Sequence, residues 1–344
     1  MMEPETTSLP NSNLTLVDWS KRQDPDGKIP IIVNLLSQTN EILQDAVYKE
    51  GNLPTGERVV VRTGLPTVYW RALNKGIPSS KSTTAQVDEA CGMLEARSSV
   101  DKDLAILNGN ASQFRLSEDT AFLESMNQEQ VQTLFYGNPA TNPQSFLGLA
   151  PRYSDKSAPN GANILDAGGR GSNNTSVYLV VWGDQTVYCH FPKGSKAGLI
   201  HEDLGEIDIF DFEGGKYRGY ETRYQWKNGL VVKDWRYVVR IANIDVNDLK
   251  EQKGTQAPRA STALINLLSD AVYHVPNISF GRPAFYMNRS VHKGLARAGL
   301  EKSQAVVTIE KGLTQFGKPH SWVDFLGVPL RRADALLNTE EVVK

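Results

Sequence analysis

The tract from 176 to 244 constrains the fold most, because three of its runs are built largely from β-branched and aromatic residues. They are Ser176-Val177-Tyr178-Leu179-Val180-Val181-Trp182, Thr186-Val187-Tyr188-Cys189-His190-Phe191 and Trp235-Arg236-Tyr237-Val238-Val239-Arg240-Ile241, all of strand type. Gly183-Asp184 between the first two predicts a hairpin. Helical patterns flank the tract. Ser117 can cap a helix whose first turn carries Glu118 and Asp119, suited to the positive end of its dipole. Phe122, Leu123, Met126, Val131, Leu134 and Phe135 then form one stripe, and Gly137 supplies the stop. Pro258 opens a further helix through Ala263, Leu264, Leu267, Leu268 and Val272. Strands clustered between helices, without strand–helix–strand alternation, define an α+β class.

The flanks extend this pattern. The first thirty residues, with the turn Asp24-Pro25-Asp26-Gly27, predict an extended arm. From Pro30, Ile32, Leu35, Leu36, Ile42, Leu43 and Val47 recur at helical spacing up to Gly51, which predicts a short amphipathic helix. Glu57 to Thr63 and Thr67 to Leu73, separated by Gly64-Leu65-Pro66, predict a hairpin or long β-loop. Residues 74–84 are polar, 85–94 resume a weak strand pattern, and the whole of 51–94 could project as one arm. The loop 138–143 and the Gly, Ser and Asn run 157–175 are too polar for core, which puts a domain boundary near 150. Ala284 to Met287, Ala305 to Ile309 and Val328 to Arg332 predict short strands around a helix near 289–301.

Composition narrows the function. A chain of 344 residues suggests two domains, and 40% hydrophobic with 22% charged residues excludes bulk disorder. Lys plus Arg total 37 against 39 Asp plus Glu, so the net charge of −2 provides no whole-protein field for nucleic acid or anionic lipid. No run approaches the ~20 apolar residues that span a bilayer, and the acidic N-terminus has no signal core, so no membrane role is expected. Cys91 and Cys189 lie far apart and form neither a disulfide ladder nor a metal knuckle, as befits a reducing cytoplasm.

No run carries catalytic chemistry. Asp166 to Ser172 resembles a phosphate loop but lacks its Lys-Ser/Thr ending and a following helix pattern, so it reads as flexible loop. The five histidines show no metal-ligand spacing. His201-Glu202-Asp203 is the densest polar triplet and reads as a solvated turn. Cys189 and His190 are adjacent on a strand and point to opposite faces, so both cysteines read as structural. Tyr220, Tyr224, Trp226, Trp235 and Tyr237 alternate with Arg218, Arg223, Arg236 and Arg240, which reads as core aromatics with arginines outside rather than a single-strand platform. No catalytic, cofactor or metal site is expected.

What remains is an arm, a projecting β-loop, a long central helix and a β-rich segment. Several runs resemble the major capsid proteins of tailed, podovirus-like bacteriophages: Gly64 to Arg71, Phe135 to Asn138, Phe146 to Tyr153, Tyr178 to Gly183, Phe191 to Leu199, Asp234 to Ile244, Phe285 to Arg289 and Arg331 to Asn338. Their number and order, over nearly the whole chain, make the resemblance specific.

The resemblance implies the Hong Kong 97-type capsid fold, with 1–50 as N-terminal arm region and 51–94 as extended loop. It also implies a peripheral domain of 95–150 plus 273–344, a spine helix at about 117–136, and an axial domain at 151–272. Val59, Val61, Tyr69, Trp70 and Leu73 would rest on an adjacent subunit, with Arg62 and Arg71 pairing carboxylates there; an exposed β-arm needs such cover. Lys75 and Lys81 are available for covalent crosslinking, but nothing identifies an activating Glu or an acceptor, and none is expected. The function implied is a self-assembling shell subunit of hexamers and pentamers, made in the bacterial host cytoplasm and resident in the virion. Its implied partners are scaffolding, portal and decoration proteins and, non-specifically, packaged double-stranded DNA. The rivals are a portal or tail component, and a cytoplasmic hydrolase using His201, Glu202 and Asp203.

Overall fold

The computed structural model describes residues 38, 40–107, 110–210, 214–249, 259–300, 307–313 and 319–344, of which 259–262, 297–300, 307–313 and 319–323 are described as backbone. The predicted N-terminal arm, the 30–37 part of the first helix and Pro258 lie outside the described residues. In chain order come helix α1 (Ile42–Asp45), strands β1 (Tyr48–Glu50), β2 (Gly56–Gly64), β3 (Thr83–Ala90) and β4 (Gly92–Asp101), and helices α2 (Lys102–Ile106), α3 (Ala111–Tyr136) and α4 (Leu149–Arg152). Strands β5 (Ile164–Asp166), β6 (Asn174–Trp182), β7 (Val187–Phe191), β8 (Leu199–Phe210), β9 (Lys216–Val232) and β10 (Val238–Asp245) follow. Helix α5 (Arg259–His274), strand β11 (Arg282–Met287), helix α6 (Arg289–Leu300) and strands β12 (Val307–Leu313), β13 (Pro319–Phe325) and β14 (Val328–Arg332) complete the chain. Among the described residues, one compact unit holds 94–127 and 199–226, and the other holds the remainder.

The larger unit is built around β6, whose nine residues are all buried. Strands β10 and β11 pair with it antiparallel, β5 joins β10 in parallel, and β14 joins β11 in parallel. Successive residues of β6 serve opposite faces. Val177, Leu179 and Val181 pack with Leu264 and Leu268 of α5 and Val291 and Leu295 of α6. Tyr178, Val180 and Trp182 pack with Val131, Leu134 and Phe135 of α3. A strand covered on both faces reads as one continuous apolar run, which is how this one is legible in the sequence.

Several expectations are corrected in this unit. The chain turns at Gly183, where Thr186 Oγ1 donates to the Val181 carbonyl at 2.6 Å, but β6 and β7 share one parallel bridge, Trp182 to Val187, instead of a hairpin. Strand β7 is taken up by β9, antiparallel, and by β1, parallel. That pairing also ends the predicted first helix: among its described residues Ile42–Asp45 is the helical part, and Tyr48 already belongs to a strand. The polar stretch 157–175 contributes buried residues, because its amides find partners: Asn163 Nδ2 donates to the carbonyls of Trp235 and Val238 at 3.1 and 2.7 Å. Strands before and after position 272 share one sheet, and 199–226 groups with 94–127.

Arg240, read as an outward cation, points inward. Its guanidinium donates to Glu340 at 2.8 Å and to the carbonyl of Tyr153 at 2.8 Å, and it lies 5.5 Å from the centre of the Tyr178 ring. Glu340 belongs to the C-terminal segment, which bridges to Asn174 and, through Val343, to the Asn243 side chain.

In the smaller unit β8 and β9 form a long antiparallel ribbon, with a register shift between Asp203 and Gly205, whose φ of 70° suits glycine. Helix α3 begins at Ala111, earlier than Ser117, because Asn110 Oδ1 accepts from the Gln113 amide at 3.1 Å and caps it. The added turn buries Phe114 with Val100, Leu104 and Ala105. Helix α3 ends at Tyr136, where a Cβ on Gly137 would meet the Phe146 carbonyl at 2.4 Å.

Candidate assembly interface

Strands β2 and β3 form a two-stranded arm, paired from Gly56–Ala90 to Gly64–Thr83. The partner of β2 is therefore 83–90, and not 67–73 as the hairpin signal predicted. Pro66 lacks the backbone donor a returning ladder would need, whereas 83–90 offers Val87 opposite Val59 and Asp88 opposite Arg58. Arg58 and Asp88 form a two-pronged ion pair with both contacts at 2.7 Å.

Residues 65–82 contain no strand or helix. Ser80 Oγ donates to the Thr67 carbonyl at 2.6 Å, and Asn74 adopts a φ of 60° in the turn that brings the Lys75 amide onto the Ala72 carbonyl. Leu65, Val68, Tyr69, Leu73 and Ile77 are exposed, and Trp70 is as open as in an extended peptide, at 104%. Arg62 and Arg71 are exposed beside them. Between Arg62 and Gln86 the chain carries Arg62, Arg71, Lys75 and Lys81 and no carboxylate. Aromatic, apolar and cationic side chains thus share one solvent-facing loop.

Two of the expected contact residues sit elsewhere. Val59 is buried, packed with Tyr188 and Val231, and Val61 is half-buried against the same cluster. These valines attach the arm to its own chain, because alternate β2 residues face β7 and β9.

The root of the arm is polar. Glu57 lies directly opposite Glu89 in the β2–β3 register, a destabilising like-charge pair unless each finds another partner. Glu57 accepts from the Tyr188 hydroxyl at 2.7 Å, and Glu89 takes both prongs of Arg152 at 2.7 and 2.6 Å. His190, fully buried on β7, lies with Nε2 3.2 Å from the Glu89 carbonyl. Burial, which outweighs the pull of Glu57 and Glu89, holds its pKa below the ordinary value. None of Glu57, Glu89 and Arg152 is marked by a sequence motif; the available signal was the pair of acidic residues in two strands that must oppose each other.

The residues of the alternative readings are engaged in structural contacts. His201, Glu202 and Asp203 lie on β8, a strand and not a turn, so Glu202 faces away from the other two. Asp203 is held by Arg115 at 2.6 Å, Glu202 by Arg223 at 3.3 Å, and His201 stacks on Tyr224 with ring centres 5.2 Å apart. Burial pushes the thiol pKa of Cys91 up to about 12, helped by Glu57, and that of Cys189 up to about 12, so neither is a ready thiolate. Among the described residues no three His, Cys, Asp or Glu are grouped to hold a metal. Among them, too, no helix is long and apolar enough to cross a membrane.

Comparison with known proteins gives these features their setting. Residues 24–344 match the family described as major capsid protein GP7. A chain of the bacteriophage epsilon15 structure is 33% identical with a TM-score of 0.74, over 98% of this chain and 99% of its own. The bacteriophage JBD30 capsid gives 10% identity and a TM-score of 0.47, over 88% of this chain and 92% of its own. The capsid of the native GTA particle gives 9% and 0.44, over 61% of this chain and 92% of its own. No curated protein matches. The class these findings define is a structural subunit of a phage shell, with a mixed α+β fold of the Hong Kong 97 type, assembled from copies of itself into capsomers. The chain belongs to the major capsid protein GP7 family, and its place is the virion shell.

Proposed function

We propose that the loop 65–82 at the tip of the β2–β3 arm, with the adjoining end of β2, is the contact by which one copy grips the next within hexamers and pentamers, through Arg62, Tyr69, Trp70, Arg71 and Leu73. The observation that carries this is Trp70, wholly exposed among Leu65, Val68 and Leu73. A tryptophan buries roughly 150–250 Å² when covered, and truncating such an anchor at an interface centre costs about 2–4 kcal/mol. The cationic residues make an acidic surface on the neighbouring copy the matching partner, with Arg62 and Arg71 pairing its carboxylates. In the terms of the family, we assign 51–94 as the extended loop and α3 as the spine helix of the peripheral domain. The peripheral domain takes 95–150 with 273–344, and 151–272 we assign to the axial domain.

Around this core reading the subunit acts without catalysis and assembles in the bacterial host cytoplasm. It meets scaffolding, portal and decoration proteins there and touches packaged double-stranded DNA through weak backbone contacts, as the near-neutral net charge suits. The test is electron microscopy with light scattering of the full chain and of Trp70→Ala and Arg71→Ala. The unchanged chain is expected to close into shells or to form rings of five and six. Both variants should fold with stability unchanged within about 0.5 kcal/mol, because both side chains are exposed, yet fail to assemble at the same concentration. Shells formed equally well by both variants would sink the proposal.

A further inference from the structure

We propose that the root of the β2–β3 arm is an acid-released joint: His190 takes up a proton only when the arm lifts away, so a fall in pH frees the arm. The proposal concerns how the arm is held by its own chain, and stands whether or not the arm tip grips a neighbour.

The joint has two layers. Its apolar layer is small, comprising Val59, Tyr188 and Val231 with Val47 and Val61 at the edge. The rest of the attachment is polar, which places the joint at the low end of local stability within the fold. His190 lies inside that polar layer. Its Nε2 donates to the backbone carbonyl of Glu89 on β3, so the neutral ring keeps its lone pair on Nδ1, which has no hydrogen-bond partner among the described residues. On the β9 side Gly229 comes so near that a Cβ there would stand 2.4 Å from His190 Cε1. Water has little room to follow a charge inward.

Among the described residues the ionisable groups facing the ring can be named. From the arm come Glu57, already bonded to Tyr188, and Glu89, already neutralised by Arg152 of α4. Cys91 donates its thiol to the His190 carbonyl at 3.8 Å, a weak contact. From β1, Lys49 is the register partner of His190, and its ammonium lies 5.5 Å from the centre of the Tyr188 ring. Burial opposes an imidazolium more strongly than Glu57, the carbonyl and carboxylate of Glu89 and the Gly229 backbone favour it, so the pKa of the ring lies below its ordinary 6.5. A released arm exposes the ring to water, where it binds a proton with that ordinary affinity. The released state therefore binds more protons. The attachment is fully present above about pH 6.5 and weakens as pH falls below it, by about tenfold per pH unit until the closed-state pKa is reached.

Hydrogen exchange on the full chain between pH 7.5 and 5, with each amide's rate divided by its intrinsic rate at that pH, tests this. Protection of amides in β2 and β3 should fall about tenfold per unit below pH 6.5 while β6 and β10 keep theirs. His190→Gln keeps a donor for the Glu89 carbonyl but cannot titrate, and should make arm protection independent of pH. Glu57→Gln, which removes a carboxylate favouring the proton, should carry the fall on to lower pH and supplies the test if the first variant does not fold. Arm protection that is flat with pH in the unchanged chain, or that falls identically in either variant, would overturn the proposal.

Discussion

Replacing Glu340 by alanine should unfasten the C-terminal segment from the larger unit. The Glu340 and Arg240 side chains are each 5% exposed, so their 2.8 Å ion pair has no solvent to take over either charge. Glu340 also accepts the Tyr136 hydroxyl at 2.5 Å and the Ser176 hydroxyl. In Glu340→Ala, Arg240 keeps the carbonyls of Ala150 and Tyr153 and the hydroxyl of Ser176, at 3.2, 2.8 and 3.0 Å, but no counter-charge. An uncompensated buried cation costs about 3–5 kcal/mol. Glu340→Gln keeps the shape and part of the hydrogen bonding, and should cost about 1.5–3 kcal/mol. The double change Arg240→Met with Glu340→Leu removes the desolvated charges together and should cost far less than Glu340→Ala alone. Urea unfolding of the soluble full-length chain reads this as a shift of midpoint at constant slope. A cost below about 1 kcal/mol for Glu340→Ala, or one equal to that of the double change, would refute the assignment of a desolvated ion pair.

Other positions give independent checks. Gly229→Ala would put a Cβ 2.7 Å from the Ala90 carbonyl and should lower stability by about 1–3 kcal/mol in the same urea assay. Arg223 above all, then Gln225, with Arg97 adding, holds the Glu95 carboxyl at about 2. Its contribution to the β4, β8 and β9 ribbon is therefore present above its ordinary value near 4.5 and is lost as pH falls from there towards 2; because solvent screens these pairs, Glu95→Gln should shift the urea midpoint only slightly at pH 7, and the small difference from the unchanged chain should vanish as pH falls through that window. Alkylation of Cys91 and Cys189 at pH 8 should run at least ~10 times slower in the native chain than after unfolding, as measured by mass spectrometry, because both thiols titrate near 12.

The parts of this fold that read well from sequence are those whose burial follows one period. Strand β6 is apolar on both faces because α5 and α6 cover one and α3 the other, and the stripe Val131, Leu134 and Phe135 points at that second face. The start of α3 was read late because its first buried residue, Phe114, answers to a small separate cluster rather than to the main stripe. The partner of β2 is hidden from the sequence for a different reason. Thr67 to Leu73 has every local mark of a strand, yet its side chains are exposed in this chain, and local propensity cannot tell a residue covered by its own chain from one that a neighbouring copy would cover. The same blindness hid the root of the arm. Glu57 and Glu89 are each unremarkable on a half-exposed strand, and only the register that sets them face to face makes a like-charge problem. Its solution, Tyr188 for one carboxylate and Arg152 for the other, draws on residues that are distant in sequence and carry no motif. A joint built this way holds the arm by paired polar groups as well as by the small apolar cluster of Val59, Tyr188 and Val231. Its strength therefore depends on protonation and on what covers the tip, whereas the doubly covered sheet keeps its packing whatever the arm does.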